Sequence, residues 1–411
     1  MTNEVENVPE LRFPEFEYEW VQKKIDNLTT KIGSGKTPKG GSANYLSEGI
    51  PFFRSQNIQN GYLNLNDLVY IDSEIDESMK NSKSYFGDIL LNITGASIGR
   101  SAINTLSKTH ININQHVCII RLKKEFSFNF LGQFLLSPQG QKKIFKAQSG
   151  GSREGLNFKE IGSIKVNIPK NFNEQEKIGV FFSKLDRQIE LEEKKLELLE
   201  QQKRGYMQKI FSQELRFKDE NGNNYSNWEK VKFNYFMSKP NKLEKGKDIQ
   251  KDQLLTVKLQ GNGVCKANIN RALKLGSTVY YKRFTGQFIY GKQNFFNGAF
   301  GIVPDDLNCF YSSGDVPALN LDNNKITNDY FINYISRKDY YKKKEAFSTG
   351  TGSKRIHEDT LLEFDIMLPS IEEQNKIGNF FNKLHELIEI QSSKVELLEE
   401  RKKGLLQKMF V

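Results

Sequence analysis

The chain has 411 residues, with 60 lysines and arginines against 50 acidic residues and a formal net charge of +10 at pH 7. This length suggests two or three domains, and the basic balance fits a nucleic-acid partner without requiring one. Its apolar runs are too short to cross a membrane, and its three cysteines show no disulfide or metal-ligand spacing. We therefore expect a reduced cytoplasmic protein and exclude membrane-spanning, disulfide-stapled and zinc-finger proteins.

The chain opens with a short leader and a basic domain. Residues 1–10 form a loose acidic leader, and the first domain is predicted over residues 11–170. Its run Gly-Ser-Gly-Lys-Thr at 33–37 is similar to a phosphate-binding loop, but Thr30 stands where that motif needs glycine. Pro38 also blocks the helix whose N-terminus would hold the phosphate. We therefore exclude nucleotide binding there.

Three further segments follow in this domain, and the second and third of them are strand-like. Residues 49–58 contain Gly-Ile-Pro-Phe-Phe-Arg, and residues 87–94 begin with Gly-Asp-Ile-Leu. Strict alternation over residues 111–117 predicts a strand with three polar side chains on one face, namely Asn112, Asn114 and His116.

Residues 171–212 are predicted to form a long helix. The segment is rich in helix formers, lacks proline and repeats apolar residues at alternating spacings of four and three. That period is typical of a coiled coil, and polar residues interrupt it at two positions. The expected seam is Ile178, Phe182, Leu185, Ile189, Glu192, Leu196, Leu199, Lys203, Tyr206 and Ile210.

The second half of the chain repeats the first. A second domain is predicted over residues 213–369 and a second long helix over residues 370–411, at an offset of about 199 residues. Residues 174–185 and 373–384 share the pattern Glu-Gln-x-Lys-Ile-Gly-x-Phe-Phe. The expected second seam is Ile377, Phe381, Leu384, Ile388, Gln391, Val395, Leu398, Lys402, Leu405 and Met409.

The polar interruptions suggest how the two helices pair. A single helix would leave its seam in water, so an antiparallel pair is expected. One register sets Glu192 opposite Lys402 and Lys203 opposite Gln391. A shift by one heptad would place both charges of the first pair against apolar partners, so we predict this register.

The predicted architecture is α+β, with two similar globular domains separated by two long helices that pack as an antiparallel coiled coil. Both helices are close to neutral, so the positive excess lies in the domains. The Gly-Ile-Pro-Phe-Phe-Arg stretch, the Gly-Asp-Ile-Leu strand and the duplicated helices occur together and in order. In this combination, the chain resembles the specificity subunit of a type I restriction–modification system over essentially its whole length.

This resemblance implies a function and a set of partners. Each domain would be a target recognition domain that reads one half of a split site in double-stranded DNA, and the helices would set the gap. Two methyltransferase subunits would dock on the chain, and restriction–translocase subunits would join them. No cofactor is expected on this chain; S-adenosylmethionine belongs to the methyltransferase, and ATP and magnesium to the translocase. The second domain departs from the family in lacking a clear Gly-x-Pro-Phe-x-Arg stretch.

Sequence readout needs side chains that match base edges: arginine or lysine for guanine, and asparagine or glutamine for adenine. In the first domain, the predicted base contacts are Arg54, Asn57, Arg100, Gln115 and Arg153. Lys36 and Ser152 are predicted phosphate contacts, which fix register without reading sequence. In the second domain, the predicted contacts are Lys258, Gln260, Arg283, Lys292, Lys354 and Arg355. For each residue, the alternative is a solvated charge or a turn residue.

No catalytic motif stands out. The sequence contains no Asn-Pro-Pro-Phe-type methyltransferase motif, and the Pro-Asp-Asp run at 304–306 lacks the Glu-x-Lys of nucleases. We therefore expect a non-catalytic chain. The alternatives are an enzyme with an unrecognised site and a coiled-coil scaffold with non-specific nucleic-acid binding. The scaffold hypothesis accounts for the helices but not for two basic domains.

Overall fold

A computed structural model describes residues 7–148, 155–247, 249–268, 278–349 and 354–411. The chain divides into two compact units: Met1–Lys194 with Ser392–Val411, called unit 1, and Lys195–Gln391, called unit 2. Both divisions fall within the long helices. Each unit therefore contains one globular domain and a part of each long helix.

Unit 1 is a mixed α+β domain. Its strands are β1 (Val21–Lys24), β2 (Thr29–Ser34), β3 (Ile50–Phe53), β4 (Val69–Ile71), β5 (Lys83–Ser84), β6 (Ile89–Asn92), β7 (Ser101–Ile103), β8 (Ile111–Ile113), β9 (Val117–Leu122) and β10 (Lys165–Ile168). Its short helices are α1 (Ile25–Leu28), α2 (Ser73–Ser78), α3 (Phe128–Leu136), α4 (Pro138–Ala147) and α5 (Phe158–Ser163).

Unit 2 repeats this composition. The first long helix is α6 (Phe172–Phe211), and the strands that follow are β11 (Glu229–Lys232), β12 (Met237–Ser238), β13 (Leu255–Val257), β14 (Val264–Lys266), β15 (Tyr280–Lys282), β16 (Phe288–Tyr290), β17 (Phe300–Ile302), β18 (Tyr311–Ser313), β19 (Ala318–Leu321) and β20 (Asp365–Leu368). The remaining helices are α7 (Asn328–Ile335), α8 (Lys338–Lys343), α9 (Glu358–Leu362) and the second long helix, α10 (Ile371–Met409).

The two domains share one sheet topology. A four-stranded sheet has the order β2-β9-β6-β7 in unit 1 and β12-β19-β16-β17 in unit 2. A two-stranded ribbon, β1-β10 or β11-β20, pairs the first and last strands of each domain. The second sheet of unit 1 has the order β4-β3-β8-β5. In unit 2 its place is taken by the pairs β13-β14 and β15-β18, joined by a parallel bridge between Leu254 and Tyr311.

The long helices are antiparallel, as predicted. Within unit 1, the start of α6 lies beside the end of α10, with the ring centroids of Phe182 and Phe410 5.9 Å apart. Within unit 2, the end of α6 lies beside the start of α10, where Phe211 stacks on Phe381 at 5.8 Å. The predicted seam positions are buried or half-buried, except Tyr206, which is 39% exposed.

The predicted register of these helices is wrong. Glu192 pairs with Lys394 at 2.6 Å, and Lys402 pairs with Asp186. Asp186 and Lys394 lie outside the seam, on the flanks from which long charged side chains reach a neighbouring helix. Burial lowers the pKa of Lys203, although the nearby Glu389 carboxylate opposes the shift. Its predicted pairing with Gln391, which is buried, stays a prediction.

A buried glutamate fastens each domain to its long helix. Glu174, near the start of α6, accepts two hydrogen bonds from the Arg12 guanidinium at 2.7 and 2.9 Å. It accepts a third from the Trp20 indole at 3.0 Å. Such a bidentate, charge-assisted contact is strong and fixes geometry. Unit 2 repeats these bonds with Arg216, Glu373 and Trp228.

The next residues of the repeated pattern complete this junction. Gln175 donates to the Pro169 carbonyl at 2.8 Å and accepts from the Ser127 backbone, at the N-cap of α3, at 2.9 Å. Gly179 lets α3 approach closely, since a Cβ there would lie 2.4 Å from the Asn129 Cβ. Unit 2 makes the same contacts with Gln374, Pro369, Thr327, Gly378 and Asp329. The Glu-Gln-x-Lys-Ile-Gly pattern therefore attaches each globular domain to the start of a long helix.

Candidate nucleic-acid interface

One edge of the unit 1 sheets collects several strand ends. The pairing registers bring the C-terminal ends of β2, β3, β6 and β8 and the N-terminal ends of β7 and β9 together. We call this the loop edge. Links leaving it carry four of the predicted DNA contacts: Lys36, Arg54, Arg100 and Gln115. The fold thus brings together residues that are far apart in sequence, and Lys36 and Gln115 are exposed there.

A series of hydrogen bonds holds Gln115. The Thr37 hydroxyl donates to its side-chain carbonyl oxygen, and its amide nitrogen donates to His116 Nε2 at 3.1 Å. Because that ring nitrogen accepts, His116 carries its proton on Nδ1, which donates to the Thr94 hydroxyl at 2.7 Å. Gln115, although exposed, is thereby held in one orientation.

The strand predicted over residues 111–117 is broken at its centre. β8 ends at Ile113, and Asn114 Oδ1 accepts a hydrogen bond from the His116 backbone at 3.1 Å. Such an Asx turn competes with extended backbone, which is why alternation alone missed it. Asn112 is buried and donates to the Asp76 carboxylate. The three polar residues therefore do not form one exposed face, and Gln115 reaches the surface instead.

Arg54 and Asn57 have roles inside the domain. The Arg54 guanidinium lies 5.5 Å from the Tyr45 ring centroid and donates to the Asp67 carbonyl at 2.8 Å. A base contact by Arg54 therefore stays a prediction. The predicted contact by Asn57 is wrong, because its fully buried side chain donates to the Asn64 carbonyl at 3.0 Å and accepts from the Arg54 backbone. It holds a turn.

One further first-domain candidate, Arg100, lies at the same edge. Arg100, directly before β7, donates to the Gln59 side chain at 3.1 Å. Gly155 pairs with Thr94, so the chain returns to the loop edge at that point. The predicted contacts Ser152 and Arg153 lie outside the residues that the structure describes.

Unit 2 has an equivalent loop edge. The registers bring the C-terminal ends of β12 and β16 beside the N-terminal ends of β17 and β19. Lys292 follows β16; its side chain pairs with Glu358 at 3.1 Å, and its backbone donates to the Asp315 carbonyl at 2.9 Å. Arg355 pairs with the Asp315 carboxylate at 3.2 Å. This edge therefore mixes basic and acidic side chains.

Two further candidates occupy the turn between β13 and β14. Lys258 is exposed and follows β13, as Arg54 follows β3. Gln260, also exposed, donates through its backbone to the Asn297 carbonyl at 2.9 Å, which holds the turn beside β17. Lys354 is exposed and pairs with Glu345 at 2.7 Å.

The predicted contact by Arg283 is wrong. This arginine is 2% exposed; it donates to the Ser312 hydroxyl at 2.7 Å and to the Val316 carbonyl at 3.0 Å. Burial lowers its pKa to about 10. Its hydrogen bonds hold the link that enters β19, so Arg283 stabilises the domain. The residue type alone does not distinguish a buried arginine from an exposed one.

Sequence reasoning missed several residues at the two loop edges. Thr37 and His116 orient Gln115, and Asp315 occupies the corresponding link of unit 2. Asp315 was missed because base contacts were predicted only for basic and amide side chains. Asp315 and Gln115 are identified as equivalent positions only by the shared sheet order, because both lie in the link that enters β9 or β19.

The described residues contain neither a metal-binding cluster nor a membrane-spanning helix. No group of three or more histidine, cysteine, aspartate or glutamate side chains is arranged there to hold a metal ion. No helix within the same residues is long and apolar enough to span a membrane.

Two copies of one α+β domain, each joined to a long helix and each with a loop edge, define a duplicated recognition protein. The chain matches the family described as "Type I restriction modification DNA specificity domain" over residues 17–201 and 226–400. These matches cover most of the chain. The chain therefore belongs to the type I restriction–modification specificity family, and both of its domains are DNA specificity domains.

Individual relatives agree with this assignment. The chain is 24% identical to a type I restriction enzyme MjaX specificity subunit from Methanocaldococcus jannaschii, over 98% of this chain and 95% of the relative. It is 33% identical to the EcoBI specificity subunit from Escherichia coli over 32% of this chain and 28% of the relative. The structure matches the S subunit from M. genitalium with a TM-score of 0.62 and 17% identity, over 98% of this chain and 99% of that chain. This last likeness shows a shared fold.

Proposed function

We propose that each domain reads one half of a split DNA site through its loop edge. One observation carries this proposal: the same four-stranded sheet order occurs twice, with different side chains at the same edge. In unit 1 that edge presents Lys36 and Gln115, whereas in unit 2 it presents Asp315 and Arg355, with Lys292 largely buried against Glu358. Different side chains at the same edge of equivalent sheets suit the recognition of two different half-sites.

The candidate residues divide by chemistry. Lys36 and Lys258 are exposed and basic, which suits contacts to phosphate oxygens. Gln115 and Arg355 have the hydrogen-bonding groups that match adenine and guanine edges. Gln260 lies on an exposed turn held against β17, where its amide suits either base or backbone.

The long helices are proposed to dock methyltransferase subunits, which would perform the chemistry with S-adenosylmethionine. Each helix exposes apolar residues at two matching positions of the repeat: Leu191 (51%) and Leu198 (58%) on α6, and Ile390 (67%) and Leu397 (66%) on α10. Residues seven apart lie on one side of a helix, and exposed apolar side chains mark interaction surfaces. Phe181 and Phe380, at another matching position of the repeat, are instead half-buried against Phe13 and Phe217. Restriction–translocase subunits, with ATP and magnesium, would join this complex.

The helices are also proposed to fix the gap between half-sites. The 40 residues of α6 extend about 60 Å at 1.5 Å per residue. Inserting four residues at matching points of both helices adds about 6 Å to each, close to two base pairs of DNA. A recognised gap of unchanged length in that variant would contradict this part of the proposal.

The adenine-methylation pattern of a methylation-free host tests the reading function. The host would carry this chain with the methyltransferase encoded beside it, and a strain with the methyltransferase alone is the control. Methylation confined to one split motif with a fixed gap is expected. A soluble complex that produces no motif would favour the scaffold hypothesis instead.

A further inference from the structure

The link that leads into the central sheet is equivalent in the two domains. It joins β8 to β9 in unit 1 and β18 to β19 in unit 2, and β9 and β19 hold the same place in their sheets. The second residue of this link is Gln115 in unit 1 and Asp315 in unit 2. Both side chains belong to the types that match base edges.

Both residues are held in place by other parts of the loop edge. Gln115 is held by Thr37 and His116, as described above. Asp315 is held by the ion pair with Arg355, while its carbonyl accepts a hydrogen bond from the Lys292 backbone. The Asp315 side chain is nevertheless 55% exposed. A side chain that is already ordered loses little conformational freedom on binding, which favours discrimination between ligands.

A carboxylate at this edge is informative in itself. DNA presents a dense row of phosphate charges, which attracts basic side chains and repels acidic ones. Asp315 is therefore unsuited to a backbone contact, whereas aspartate accepts a hydrogen bond from the N4 amino group of cytosine. A glutamine at the equivalent position can bond both N6 and N7 of adenine.

We propose that this link position sets one base of each half-site: Gln115 reads adenine in one half, and Asp315 reads cytosine in the other. The proposal rests on the proposed function, that the two domains read separate half-sites. Thr37 and His116 are positioning residues for Gln115, and Arg355 is the positioning residue for Asp315.

The test uses the full chain in complex with its methyltransferase and a panel of DNA duplexes, each with one base pair of the split motif changed. Replacing Gln115 by alanine should weaken binding to the intact motif by on the order of tenfold. It should also remove discrimination at a single base pair of one half-site and leave the other half and the gap unchanged. Asp315→Asn, which keeps the size of the side chain, should change the preference at one base pair of the other half-site.

Lys36→Ala is the matched control, because a phosphate contact should weaken binding to all duplexes of the panel equally. A uniform loss for Gln115→Ala, or no change, would overturn the proposal. If the alanine variant does not fold, Gln115→Met keeps the side-chain length without charge or amide, and the same two outcomes are distinguished. A wild-type complex without any split motif would instead refute the proposed function, which separates the two failures.

Discussion

The two DNA specificity domains are alike where they meet the long helices and different in their second sheets. In unit 1 this sheet is continuous and buries Asp76, which bonds Lys83 at 2.6 Å, His110 at 2.7 Å and Asn112. In unit 2 the equivalent strands form two pairs joined by the bridge between Leu254 and Tyr311, and the buried Arg283 donates a hydrogen bond to Ser312 of β18. The junction thus serves the common task of attachment, while the second sheet varies with the loops that it supports. In the proposed function, attachment to the long helices and DNA reading are therefore carried by different parts of one domain.

The largest effect is expected from breaking the shared junction. Glu174→Ala and Glu373→Ala each leave a largely buried arginine without its carboxylate partner and a buried indole N–H without its acceptor, at a cost of about 3–5 kcal/mol in the free energy of unfolding. Urea unfolding of the full chain measures this change. Glu190→Ala is the control on α6, because its ion pairs with Arg187 and Lys194 are exposed and contribute under about 1 kcal/mol. A small loss in either glutamate variant would show that the domains are attached differently.

A glycine pair tests the close approach within the same junction. Gly179→Ala would place a Cβ 2.4 Å from the Asn129 Cβ, so a loss of about 1–3 kcal/mol in unfolding free energy is expected. At Gly205, also on α6, nothing lies within 4 Å of an added Cβ. There, alanine should stabilise the helix by about 0.5–1 kcal/mol. Thermal unfolding of both variants measures the contrast, and equal shifts would contradict the packing described for Gly179.

The polar cluster of unit 1 predicts a pH dependence. Burial alone raises the pKa of Asp76, but hydrogen bonds from Lys83, His110 and Asn112 outweigh it, and the pKa falls below its ordinary value of 3.8. A carboxyl with a depressed pKa contributes stability that is present above pH 4 and is lost as pH falls through the folded-state value. Asp76→Asn should therefore cost about 2 kcal/mol at neutral pH, with a smaller difference from wild type in acid. A constant difference from pH 7 to pH 3 would contradict this account.

The smallest effect is expected in the helix pair. Glu192→Lys should destabilise the chain by about 1 kcal/mol or less, because it places two positive charges together and Lys394 is partly exposed. Lys394→Glu in the same chain should restore the loss, whereas Lys402→Glu should not. A double-mutant cycle in urea unfolding separates these pairs. Recovery with Lys402→Glu would revive the register predicted from the seam.

The repeat was sufficient to predict the duplicated α+β fold and the antiparallel helices. Each helix has a mostly apolar seam of ten positions, and packing the two seams together removes both from water. The repeat was not sufficient to predict the register of the two helices. Asp186 and Lys394 lie beside the seam, and the side chains that they pair with depend on how the helices pack. For the candidate site, residue type selected Lys36 and Gln115, which are exposed at the loop edge, and their DNA contacts stay predictions. Asn57 and Arg283 were misassigned because residue type says nothing about burial. Asp315 became visible only when sheet order made it the counterpart of Gln115.

The most direct test of the whole account is the methylated motif after domain exchange. Residues 11–170 would be replaced by the equivalent domain of another specificity subunit, with α6, unit 2 and α10 unchanged. If the two loop edges read independently and the helices fix the gap, only one half of the motif should change, and the gap should keep its length. A change in both halves would contradict separate reading by the two domains.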